Sequence, residues 1–117
     1  MKWSIHMIAS LVDGRMVFGF MAAQRLKVHG FFVNDAVQPP PADSEVVSLR
    51  AGGEEQIVGC RSCALFVLTG PIMQRYMAPI ILETGQDLSV TLESQTPRAC
   101  VLSAMVSKAH GKEHYDA

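Results

Sequence analysis

Polar and apolar residues alternate most cleanly in Asp87-Leu88-Ser89-Val90-Thr91-Leu92-Glu93, where Leu88, Val90 and Leu92 share one face and four polar residues share the other. A period of two is the signature of a half-buried strand. The same alternation opens Arg25-Leu26-Lys27-Val28-His29-Gly30-Phe31-Phe32-Val33 and predicts Leu26, Val28 and Phe32 on one face, with Phe31 and Val33 on the other. Residues 63–69 are apolar without interruption, which predicts a strand buried on both faces. Residues 98–108 carry small or apolar side chains on both faces, which predicts a central strand or a subunit contact.

Turn signals separate these segments every eight to twelve residues or so, the spacing of a sandwich or barrel. Asp13-Gly14 lies between residues 8–12 and 15–20 and supplies the positive backbone angles of a two-residue hairpin. Ala51-Gly52-Gly53-Glu54 joins 45–50 to 55–58 in a second hairpin, and Thr84-Gly85-Gln86 turns the chain into the alternating strand. Residues 21–26 have the propensity for one or two helical turns. The stretch 34–44 holds Pro39, Pro40 and Pro41 and reads as a surface loop with a stiff middle. Residues 72–79 form an irregular connection that carries Ile72, Met73, Tyr76 and Met77; it either covers one end of the core or meets a partner. The fold expected is all-β: a single antiparallel β-sandwich, jelly-roll-like, with about eight or nine short strands and at most one short helix. It occupies residues 1–108, and 109–117 form a polar C-terminal tail with His110 and His114.

The chain has 117 residues, 49% hydrophobic and 18% charged, with a formal net charge of −1. This suits one domain that buries roughly two-thirds of its surface without disulfide or metal staples. Ten basic residues against eleven acidic ones do not supply the cationic patch that nucleic acid requires. No signal-peptide core is expected at the N-terminus, and residues 16–23, interrupted by Gly19, are too few to span a membrane as a helix. Three cysteines fit free thiols in a reducing compartment, with one disulfide plus a free thiol as the alternative.

Candidate chemistry is sparse. Cys60-Arg61-Ser62-Cys63 has the spacing of zinc knuckles and dithiol oxidoreductases, but a zinc site would need Cys100 and His6 or His29 to converge on it. Structural thiols at a strand turn are the simpler reading. His6 and His29 fall at outward strand positions without a nucleophile or carboxylate at catalytic spacing. Arg25, Lys27, His29 and Phe31 could make a small basic patch, although a solvated strand face accounts for them. No catalytic, cofactor or metal site is therefore expected. Seven methionines and strands apolar on both faces point as much to subunit contacts as to a well-filled core.

The order of features resembles that of small β-sandwich virion proteins of tailed bacteriophages, of the capsid decoration or cement type. The likeness is carried by residues 22–34, by 78–92 and by the closing strand 99–107. It implies a non-enzymatic structural protein of the virion, assembled in the host cytoplasm as a homo-oligomer, most often a trimer, that clamps neighbouring shell subunits, with the major capsid protein or another virion protein as partner. Pro39, Pro40, Pro41, Ile72, Met73, Tyr76, Met77 and the C-terminal tail are the expected contacts. The alternative is a small ligand-binding β-sandwich, a carbohydrate or receptor-binding module, with Trp3, Tyr76 or Phe31 as a stacking platform. A third reading, an enzyme of cupin-like fold, would need a convergent histidine and carboxylate metal site.

Overall fold

The computed structural model describes residues 1–33, 38–56 and 80–110. These residues form nine strands and no helix: β1 (Lys2–Ile8), β2 (Ser10–Val12), β3 (Arg15–Met21), β4 (Leu26–Phe32), β5 (Glu45–Ala51), β6 (Glu54–Glu55), β7 (Ile80–Leu82), β8 (Asp87–Glu93) and β9 (Val101–Lys108). One sheet has the order β1-β9-β4-β7 and the other β2-β3-β8-β5-β6. Every pairing is antiparallel.

The pairing pattern shows how the two sheets arise from one ribbon. With β2 set aside, β1 pairs with β9, β3 with β8, β4 with β7 and β5 with β6. Such a ribbon, closed at the β5–β6 turn and rolled on itself, gives the jelly-roll order. The expected sandwich is therefore present, with β9 as the central strand that its two apolar faces indicated. At the corner, the chain passes from β1 to β2 through Ala9, whose N–H donates to the Cys100 carbonyl at 2.9 Å. The β7–β8 turn likewise joins the two sheets and closes no hairpin.

Turn chemistry is local and legible. Asp13 and Gly14 both have positive φ, 51° and 75°, as a two-residue turn of matching twist requires. Gly52 and Gly53, at 60° and 85°, do the same for β5 and β6, so the second hairpin turns on the two glycines and its second strand starts at Glu54. Residues 22–25 form a bend between β3 and β4 and no helical turn.

The core lies between the sheets. Met7, Leu26, Val28, Phe31, Leu82, Leu102, Ala104 and Val106 come from one side, and Met16, Phe18, Leu49, Leu88, Val90 and Leu92 from the other. Phe18 and Phe31 are the largest fully buried side chains. Phe31 corrects the alternation expected for β4. The β4–β9 register shifts between Val28 and Gly30, a β-bulge at His29, so Leu26 and Val28 are followed on the inner face by Phe31, opposite Ala104. One extra residue exchanges the faces of everything after it. Phe32 is thereby the outward, half-buried residue, opposite Ser103.

The proline segment also differs from a solvent loop. Pro39 is half-buried and Pro40 and Pro41 are buried, while the Pro41 carbonyl accepts from Ser44 N–H at 3.0 Å to form the turn into β5. The expected strand over 63–69, the Cys60 to Cys63 motif, Ile72, Met73, Tyr76, Met77 and His114 lie outside the described residues.

Candidate functional site

Four features on the described residues carry potential chemistry or contact, and each follows from strand register. On the outer face of the four-stranded sheet, His6 stands opposite Ser103, and their Nδ1 and Oγ atoms are 2.7 Å apart. His29, displaced by the bulge, brings Nε2 to 2.7 Å from Ser107 Oγ. Both bonds pin an imidazole across β9. The register neighbours of Ser103 are His6 and Phe32, and those of Ser107 are Lys2 and Lys27.

The outer face of the five-stranded sheet forms an open acidic groove of about 920 Å3, lined among others by Asp13, Asp43, Glu45 and Glu93. Glu45 and Glu93 are directly opposite in register, a like-charge pair that Arg15 relieves through a 2.7 Å bridge to Glu93. Asp43 is committed to the fold. Its carboxylate accepts from Ser94 Oγ at 2.6 Å and from Gln95 N–H at 2.9 Å, which ties the turn before β5 to the one after β8. The Ser94 bond first, then the Gln95 bond, holds its carboxyl below the ordinary carboxylate value.

Cys100 is buried, with Sγ 3.6 Å from Met16 Sδ. Burial raises its thiol pKa, slightly opposed by Arg98. No group of three or more His, Cys, Asp or Glu side chains stands at metal-binding distance among the described residues. The space between the sheets, where a cupin-like reading would place histidines and carboxylates, is filled there by apolar side chains. The basic patch imagined on β4 is also dispersed. Arg25 bridges to Glu83 at 3.0 Å, its Nη1 donates to the His110 carbonyl at 2.6 Å, and Phe31 is in the core. For the same reason Phe31 is no stacking platform, whereas Trp3 stays partly exposed.

The fourth feature is apolar and sits at the edge. Trp3 is 37% exposed, Ile8 74%, Leu11 56% and Val12 50%. All four belong to β1 or β2, the edge strands that meet at the Ala9 corner, while Met1, Met21 and Val47 are exposed outside these two strands. This surface was not among the expected contacts. Its signal in the sequence was the apolar pair Leu11-Val12 directly before a hairpin turn, in a strand too short to be covered. Of the contacts expected from sequence, Pro40 and Pro41 are turned into the fold and leave the half-buried Pro39 as the accessible member. Comparison of the chain with protein-family models, curated proteins and solved structures found no match.

Proposed function

We propose that this chain is a structural subunit that works by assembling with copies of itself and with a larger shell, as a capsid decoration or cement protein of the tailed-phage type does. The observation that carries this reading is that Trp3, Ile8, Leu11 and Val12, four of the exposed large apolar side chains, lie on the neighbouring edge strands β1 and β2, with Met21 and Val47 exposed on β3 and β5. Exposed apolar side chains beside a strand edge that no described strand covers favour a contact surface. The jelly-roll order is compatible with the reading, because that plan recurs in viral capsid domains. It recurs equally in lectins and cupins, so the fold enters as analogy only. Assembly on a shell would then rest on buried apolar area and strand addition, with the loops and the C-terminal tail reaching the shell.

Light scattering of the purified chain, followed by co-sedimentation with empty tailed-phage shells and electron microscopy of the pellet, tests the proposal. The expected result is an oligomer that decorates shells at regular positions. A monodisperse monomer that stays in the supernatant with every shell tried would overturn it.

A further inference from the structure

Among the described residues the edge strands differ in what they offer a partner: β2 has three residues and β6 two, whereas β1 has seven. A short edge is a usual protection against unwanted pairing, as are proline, bulges and multiple charges. β1 has none of these: it is free of proline, pairs with β9 without a register shift and carries one formal charge, Lys2, at its end. Among the described residues, no strand pairs with its outer edge.

We infer that two copies of this chain join edge to edge through β1, antiparallel and about a two-fold axis at Ile5, into one continuous eight-stranded sheet. This rests on the assembly reading above and gives it a geometry. Full overlap of Lys2–Ile8 with itself fixes the register: Ile5 faces Ile5 of the second copy, Trp3 faces Met7, Ser4 faces His6 and Lys2 faces Ile8. The two lysines then sit at opposite ends of the paired strands, roughly 20 Å apart at the strand rise. The strand is thus self-complementary in charge, which an isologous contact requires.

Trp3 and Ile8, the exposed large apolar side chains of β1, lie near the two ends of such a contact, and the backbone edge with Lys2, Ser4 and His6 supplies its polar share.

Charge substitution at Ile8 tests the register, because that side chain is mostly solvent-exposed in the single chain and the fold tolerates either sign there. Ile8→Lys places a positive charge opposite Lys2 of the second copy at both ends of the contact, while Ile8→Glu places a negative one there. By sedimentation equilibrium, wild type and Ile8→Glu are expected to be dimers. Ile8→Lys should weaken the dimer at least about tenfold, and Lys2→Glu combined with Ile8→Lys should restore it. A wild-type trimer, or an oligomer equally indifferent to all three variants, overturns the β1 contact and leaves the assembly reading standing. A wild type that is monomeric at every concentration also overturns it, and shell co-sedimentation then decides the assembly reading separately.

Discussion

Replacing Phe31 and Phe32 by alanine, one at a time, distinguishes the bulged strand from a strictly alternating one. Phe31 is fully buried against both sheets, so its truncation removes the whole transfer free energy of the ring and leaves a cavity between layers held apart by other side chains. Such Phe→Ala changes cost about 3–5 kcal/mol. Phe32 is half-buried on the outer face, where solvent can enter the space vacated, so only part of the transfer term is lost, about 1–2 kcal/mol. At roughly 3–6 °C per kcal/mol for a domain of this size, Tm should fall by about 9–30 °C for Phe31→Ala and by about 3–12 °C for Phe32→Ala. Urea unfolding followed by circular dichroism gives the free energies directly, and equal m-values would show that the unfolded states are comparable. Uninterrupted alternation requires the opposite ranking. A larger loss for Phe32→Ala than for Phe31→Ala would refute the bulge and the inner face built on it.

Three further outcomes are expected. Gly19 lies in the middle of β3, and a Cβ there would stand 2.7 Å from the Leu88 carbonyl oxygen, so Gly19→Ala should destabilise by about 1–3 kcal/mol in thermal or urea unfolding, even though alanine orders the unfolded chain better than glycine does. Asp43 is held below its ordinary value of 3.8, so its contribution is fully present above that pH and is lost as pH falls through the lower folded value; Asp43→Asn should lose this part of the acid dependence in unfolding curves taken between about pH 5 and 2. Cys100, buried and with its thiol pKa raised, should react with a thiolate-directed reagent only on the timescale of opening, which peptide mapping after timed labelling at pH 8 would report.

Much of the architecture is written locally in the chain. The alternation of β8, the two-sided burial of β9 and the positive-φ turns at Asp13-Gly14 and Gly52-Gly53 follow from residue chemistry within a few positions of each other. The bulge at His29 does not. Whether residue 31 or 32 faces the core depends on how β4 registers against β9, more than 70 positions away, and both candidates are phenylalanine. The burial of Pro40 and Pro41 was hidden for a similar reason, since a proline run has the same local preferences whether it lies over solvent or over the end of a sandwich. The candidate contact surface was legible only in part. The surplus of apolar residues pointed to assembly, but its location on β1 and β2 depends on which strands end up at the edges, a property of the rolled ribbon and of no single segment.

The claim at the centre of this reading is that the β1 edge is where copies meet. Hydrogen exchange of residues 1–12 in the intact chain, measured at low and high protein concentration, addresses it most directly. No described strand pairs with the outer edge of β1, and in the paired state its edge-facing amides donate to a second copy. Protection in Lys2–Ile8 that grows with concentration, while β8 and β9 stay equally protected throughout, is the expected result. Exchange in β1 that is fast and independent of concentration, in a sample whose mass shows association, would contradict it.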